Sequence, residues 1–113
     1  MWGGVDLFDP EMVFESFMPD SSERIMCRGI DEVEAFMREF LAQWRSYRIL
    51  GDEFHEIGDD RVLVDGRQAA IGRQSGAAVE MPIFSSWTFK NGRVVHLLFE
   101  ADRRRALEAA SEA

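Results

Sequence analysis

The feature that most constrains the fold of this chain is a β-hairpin in its second half. Asn91-Gly92 lies between two runs rich in β-branched and aromatic residues, 79–89 and 94–99. Asparagine and glycine both tolerate the positive φ angles of a two-residue turn, so the turn determines the register of the two strands. Both faces of the first strand are largely apolar, which indicates that a helix, a ligand or another chain covers each face of the sheet.

Upstream of the hairpin, the sequence predicts one amphipathic helix among short strands. Between Asp31 and Trp44 the apolar residues recur at spacings of three and four, which places them on one stripe of a helix. Asp31 is the predicted N-cap of this helix, with Glu34 in the capping-box position. Strands are predicted over 12–17, 25–27, 48–57 and 61–70.

Turn-forming residues separate these elements. Asp9-Pro10 is expected to open the first strand as a turn, 19–22 to form a loop, and Gly58-Asp59-Asp60 to join two strands. The glycines within 68–76 predict a bulge, a bend or an exposed loop. A last helix is predicted from Asp102, its cap, to about Ala110.

The order of the elements predicts an α+β fold. A strand and a helix are followed by four mainly antiparallel strands, which predicts a curved sheet with one main helix packed on it. We find no internal repeat and no linker, so we expect a single domain over residues 1–113.

Composition and charge exclude several classes of function. With 46% hydrophobic residues among 113, the chain can build one folded core. The net charge of −8 opposes binding to nucleic acid and to anionic membrane surfaces, which both attract basic proteins. Cys27 is the only cysteine, and no apolar run approaches the ~20 residues of a membrane span. Together with an N-terminus that lacks a signal-peptide pattern, these features predict a cytoplasmic protein.

Four segments of the chain carry a resemblance to a known family: LFDPEMVFES, RGIDEVEAFMREFLAQW, GDDRVLV and WTFKNGRVVHLLFEADRRRALEAA. They resemble SnoaL-like proteins of the nuclear transport factor 2-like superfamily, which includes ketosteroid isomerases, limonene epoxide hydrolase and polyketide cyclases. The resemblance extends over about residues 7–110. It implies a sheet that forms a cone around an apolar pocket, without implying one reaction, because the fold carries many activities.

The resemblance also raises an expectation about subunits. The family has a long first helix before the LFDP segment, where this chain has residues 1–6. We therefore expect that the reading frame begins late, that a partner subunit completes the cone, or that the pocket is open. An uncovered apolar wall favours association, and the resemblance implies a homodimer as well.

Carrying the family chemistry onto this chain predicts no steroid-isomerase activity. Ser16 takes the position of the carboxylate base, Ser85 takes that of the protonated aspartate, and the tyrosine belongs to the first helix. The Asp-Arg-Asp relay of the epoxide hydrolase is incomplete too. Asp65 and Arg67 share one face of a strand, but Phe99 stands where the second aspartate is expected.

The same alignment predicts a small-molecule pocket with few polar groups. Asp65 and Ser85 are the candidate catalytic residues, since a carboxylate buried among aromatic rings can act as an acid or base. In the alternative interpretation, Asp65 forms a structural ion pair with Arg67 or Arg48. The predicted ligand-binding residues are Phe14, Ser16, Phe36, Phe40, Trp44, Leu63, Trp87, Leu97 and Phe99.

No metal site or cofactor is predicted. His55 lies between Glu53 and Glu56, but the sequence nominates no further ligand, and His96 is expected to face away from the pocket. Two functions remain open. The chain binds or processes a small hydrophobic molecule, or it is a non-catalytic dimerisation or interaction module whose sheet a partner chain covers.

Overall fold

The computed structural model describes residues 7–17 and 24–111. The predicted loop over 19–22 and the segment 1–6 lie outside these residues. Within the described part of the chain, the elements are β1 (Phe8–Phe17), β2 (Arg24–Arg28), α1 (Ile30–Ala42), β3 (Trp44–Ile57), β4 (Arg61–Gly72), β5 (Ala78–Lys90), β6 (Arg93–Glu100) and α2 (Arg103–Ser111). Neither of these helices is long and apolar enough to cross a membrane.

The strands form one six-stranded sheet among the described residues, in the order β2-β1-β6-β5-β4-β3. Neighbouring strands are antiparallel except for β1 and β6, which run parallel. The predicted α+β class with a curved, mainly antiparallel sheet is confirmed.

The hairpin forms as the sequence predicts. Asn91 and Gly92 have φ angles of 54° and 77°, and Lys90 pairs with Arg93 across the turn. Both central residues therefore take the left-handed conformation that a tight hairpin turn requires. A register shift lies between Phe89 and Thr88. Beyond the shift, the ladder is regular from the Thr88–His96 pair to the Phe84–Glu100 pair at the end of β6.

Alternation of side chains gives the sheet two distinct faces, because directly paired residues share a face. We call inner the face that α1 covers and outer the face that α2 covers. The two central inner rows consist of Val62, Trp87, Leu97, Phe14 and Cys27, and of Val64, Ser85, Phe99, Ser16 and Ile25. The inner core cluster consists of Phe8, Met12, Phe14, Cys27, Val33, Val94 and Leu97.

Helix α2 closes the outer face. Asp102 caps it as predicted, since its Oδ1 accepts the backbone N–H groups of Arg104 at 2.8 Å and Arg105 at 3.3 Å. The helix contacts β4, β5 and β6, and its Ala106 is fully buried. The outer row beside it is buried and consists of Leu63, Ser86 and Leu98.

Helix α1 begins and ends earlier than the sequence predicted. Its N-cap is Gly29 rather than Asp31, and no side chain caps it. Glu32, not Glu34, performs part of the capping role, because its Oε1 accepts the Arg28 N–H at 2.9 Å. Trp44 lies outside the helix as the first residue of β3.

Strands β1, β3 and β4 differ from their sequence patterns in ways that affect the interpretation. β1 continues back through Asp9-Pro10, where a register shift between Phe8 and Val13 accommodates the proline, so this segment is not a turn. β3 begins four residues before its predicted start at Arg48. β4 extends to Gly72, which reduces the predicted irregular region to a short turn over 73–77.

On the outer face, Glu15 joins β1 to its neighbours on both sides. Its Oε2 contacts the His96 Nε2 on β6 at 2.5 Å, and its Oε1 accepts a hydrogen bond from Arg24 on β2 at 2.7 Å. Burial raises the pKa of Glu15, but the hydrogen bond and charge of His96 and those of Arg24 outweigh burial and hold the pKa below its ordinary value of 4.5.

This pKa predicts a pH-dependent contribution to stability. Because the folded-state pKa is the lower one, ionised Glu15 stabilises the fold above pH 4.5, and the contribution is lost as the pH falls through the folded-state pKa. We expect Glu15→Gln to reduce the free energy of unfolding by about 1 kcal/mol near neutral pH and by less near pH ~3. Urea denaturation at several pH values measures the difference. Glu11→Gln, an exposed change on the same strand, is the control, and a difference that stays constant with pH contradicts the prediction.

Gly66 marks the closest approach of two backbones in the sheet. It lies on β4 opposite a register shift in β3 between Gly51 and Glu53. A Cβ at Gly66 would overlap the carbonyl oxygen of Leu50, whereas a Cβ at Gly51 would meet mainly the ring of Phe54, which can move. Only glycine fits at Gly66 without displacing the neighbouring backbone.

We therefore expect Gly66→Ala to reduce the free energy of unfolding by about 1–3 kcal/mol, because the β3 backbone must shift. The matched change Gly51→Ala should cost clearly less, since the exposed Phe54 side chain can rotate away. Urea denaturation of both variants compares the two costs. Equal losses would show that the close approach at Gly66 is not a constraint.

Candidate functional site

A cavity of about 770 Å³ lies between α1 and the inner face of the sheet. Its walls come from α1 and from strands β1, β3, β4, β5 and β6. Core residues fill the space between α1 and β1, and the cavity extends from there over the inner face of β3, β4 and β5. This volume lies within the range of small-molecule sites.

A row of aromatic rings forms one wall of the cavity. Phe36 and Phe40 lie one helical turn apart on α1 and stack with their ring centroids 6.1 Å apart. Phe40 then meets Tyr47 of β3 edge-on at 5.1 Å, and Trp44 lies 6.3 Å from Tyr47. At the other end, the ring of Phe14 contacts Phe36 at 5.6 Å. The row of aromatic rings on α1 therefore continues into the first residues of β3.

Few polar groups interrupt this apolar wall. The Tyr47 hydroxyl donates to Gln68 Oε1 at 2.6 Å, and burial raises the pKa of Tyr47, so that the phenol stays protonated. The Trp87 Nε1–H donates to Ser85 Oγ at 2.8 Å. Glu100 is 3% exposed, and its Oε1 accepts the Ala101 N–H at 3.1 Å. It is the only formally charged residue among the described residues that line the cavity.

Most of the predicted site residues do line the cavity. They are Phe14, Ser16, Phe36, Phe40, Trp44, Ser85, Trp87, Leu97 and Phe99. Leu63 and Asp65 do not, and their predicted placement is wrong. The inward residues of β4 are Val62 and Val64, so the expected register was one residue out, and a one-residue slip turns every side chain to the other face.

Asp65 instead belongs to an ion-pair cluster on the outer face. Its carboxylate is 15% exposed, and its Oδ2 accepts the Arg103 Nε–H at 2.9 Å and lies 3.6 Å from His55 Nε2. The interpretation of Asp65 as a structural ion pair is thus supported, with a different partner. Arg67, one of the two expected partners, forms a two-bond pair with Asp52 at 3.0 and 3.1 Å.

The same cluster contains the residues best placed to hold a metal ion. Potential ligand atoms of Glu53, His55 and Asp65 lie within 4.8 Å of one another. The sequence offers Glu53, His55 and Glu56 and no further ligand, whereas the structure places Asp65 rather than Glu56 beside Glu53 and His55. Arg103 already neutralises Asp65, so the arrangement shown is a cation–carboxylate cluster. His96 faces the outer side as predicted, beside Glu15.

Three polar or charged lining residues escaped the sequence analysis: Tyr47, Gln68 and Glu100. Tyr47 was missed because β3 was expected to begin at Arg48, and Gln68 because its segment was considered irregular. A usable signal was present, since Tyr47 and Ile49 alternate with the polar residues Ser46 and Arg48.

The fold is shared with proteins of known structure. The family model of the SnoaL-like domain matches residues 3–97. An NTF2-like protein of unknown function from Burkholderia pseudomallei K96243 superposes with a TM-score of 0.75 at 24% identity, over 97% of this chain and 84% of that one. A protein described as a SnoaL-like polyketide cyclase, from Jannaschia sp. CCS1, superposes at 0.71 with 18% identity, over 96% and 76%. A phenazine biosynthesis-related protein from Pseudomonas aeruginosa superposes at 0.73 with 16% identity, over 96% and 73%.

At these identities, the structural similarity shows the fold alone. No curated protein matches the sequence.

Proposed function

Because the chain belongs to the SnoaL-like domain family, we propose that it binds or processes a small hydrophobic molecule in the cavity beneath α1. The observation that carries this proposal is the cavity of about 770 Å³ with its wall of aromatic and aliphatic side chains. The names of two similar structures, a polyketide cyclase and a phenazine biosynthesis-related protein, connect this fold with small organic molecules.

The charges of the cavity favour a neutral ligand. The described lining residues include no lysine, arginine or histidine. An anion would therefore lose its hydration without gaining a cation. Steroid-isomerase chemistry is not part of the proposal, because Ser16 and Ser85 stand where that chemistry needs carboxyl groups. Ser85 is proposed as a binding group, since its Oγ accepts the Trp87 N–H.

The proposed location is the cytoplasm. Cys27 is free and buried on the inner face, and burial raises the pKa of its thiol. A buried, protonated thiol reacts slowly with oxidants, which is compatible with a reducing compartment and does not require one.

Filling the cavity tests the proposal. Nile red is neutral, apolar and fluorescent in dry pockets, and we expect it to bind the wild-type protein. Ala70 lines the cavity, so Ala70→Trp should weaken binding roughly tenfold by occupying ligand space. Ala35→Trp places the same side chain on the exposed face of α1 and should leave binding unchanged. Fluorescence titration gives the dissociation constants, and equal binding to both variants would reject the cavity as the site.

The exposed apolar edge of the sheet supports the alternative function, a dimerisation module. β3 is an edge strand of the described sheet, and it exposes 68% of Phe54 and 44% of Ile49 beside the cavity mouth. Exposed apolar residues on an unpaired edge strand promote association between chains. The occupant proposed in this alternative is a second copy of the chain, which would cover the mouth.

Sedimentation velocity tests this alternative directly. If the copies associate through β3, the wild-type protein should sediment as a dimer at about 50 µM, and Phe54→Asp should shift it to a monomer by placing a charge in an apolar contact. Ser75→Asp adds the same charge in an exposed turn and serves as the control. A wild-type protein that is monomeric at this concentration contradicts the alternative.

A further inference from the structure

The cavity contains one polar pair whose orientation the surrounding rings hold in place. Tyr47 on β3 and Gln68 on β4 both line the cavity, and the tyrosine hydroxyl donates to Gln68 Oε1 at 2.6 Å. The Tyr47 ring also contacts the ring of Phe40 edge-on at 5.1 Å, which restrains the position of the ring. Burial raises the pKa of Tyr47, so the phenol keeps the proton that it donates to Gln68.

The hydrogen bond determines what Gln68 presents to a ligand. A side-chain amide has one acceptor oxygen and two N–H donors, which point away from the oxygen. With its oxygen bound to Tyr47, Gln68 keeps Nε2 and both donors, and Nε2 has no partner among the described residues. The free side of this amide is therefore a hydrogen-bond donor on a wall that is mainly apolar.

We propose that Gln68, oriented by Tyr47, is the polar anchor of the cavity and selects neutral ligands that carry a carbonyl oxygen. This inference rests on the proposed function. A hydrocarbon would displace water from the Gln68 N–H groups and leave them unpaired, which disfavours its binding. A carboxylate would find no cation among the described lining residues to replace its hydration. A ketone, quinone, ester or amide oxygen accepts the N–H without either penalty.

Ser16, Ser85 and Trp44 also carry donor groups on the cavity wall, and the buried Trp44 Nε1–H has no partner among the described residues. These residues are unchanged in the variants used below, so a change in the measured ratio reports on Gln68 and not on them.

The probes for this experiment are 9-fluorenone and fluorene, which have the same ring system with and without a carbonyl group. Isothermal titration calorimetry gives the dissociation constant of each, and the measured quantity is the ratio of fluorene to fluorenone. We expect Gln68→Met, which keeps the length of the side chain and removes the amide, to lower this ratio about threefold to tenfold. Fluorene and fluorenone also differ in hydrophobicity. Because this difference affects the ratio equally in every protein, it cancels when the ratios of two proteins are compared.

Two further variants complete the design. Tyr47→Phe removes the hydroxyl that orients the amide and should also lower the ratio, which keeps the test valid if Gln68→Met folds poorly. Gln74→Met, in the exposed turn over 73–77, should keep the wild-type ratio.

The outcomes distinguish a failure of the Gln68 inference from a failure of the proposed cavity function. If both probes bind and the ratio is the same in the wild type and in both cavity variants, Gln68 is not the anchor, and the proposed cavity function stands. If neither probe nor Nile red binds the wild-type protein, the proposed function fails and this inference with it.

Discussion

Side-chain alternation along the central hairpin is the constraint on which the rest of this structure depends. The pairing of β5 with β6 begins at the Asn91-Gly92 turn and shifts by one residue between Phe89 and Thr88. The shifted pairing decides that Ser85 and Trp87 face α1 while Ser86 faces α2. The pairing of the other strands extends the same inner and outer faces across the sheet. The inner rows supply core residues and the cavity wall, and the outer row of Leu63, Ser86 and Leu98 lies beside α2.

The cavity exists because one helix of 13 residues cannot cover a sheet of six strands. α1 contacts β1, β2 and β3, and its Val33 joins Phe14 and Leu97 in a packed core. Beyond the end of the helix, the inner face of β4 and β5 has no covering element among the described residues. A long, bulged β3 bends around this space, and the close approach at Gly66 lets its backbone follow β4. The open volume therefore reflects the short length of α1 relative to the sheet.

The two faces of the sheet divide its chemistry. The inner face carries aromatic rings and hydrogen-bonded neutral groups, so it suits recognition of an apolar molecule with a few oriented contacts. The charged clusters lie on the outer face, where Glu15 with His96 joins β1 to β6 and Asp65 with Arg103 joins β4 to α2. Ion pairs on that face connect separate elements of the fold, which is a structural role.

The sequence by itself determined the elements whose information is local. The hairpin turn, the apolar stripe of α1 and the Asp102 cap each depend on residues a few positions apart, and the family resemblance followed from their order. Only the tertiary structure decided the face of Asp65, because the register of β4 is set by pairing with β3 and β5 and not by its own residues. The partners of Asp65 and Glu15 lie 38 and 81 residues away, in Arg103 and His96. The Tyr47–Gln68 pair likewise needs two strands to be in register before either residue has a partner. Local sequence patterns specify individual helices, strands and turns. A functional site forms between strands and helices, and their pairing is not encoded in any one local pattern.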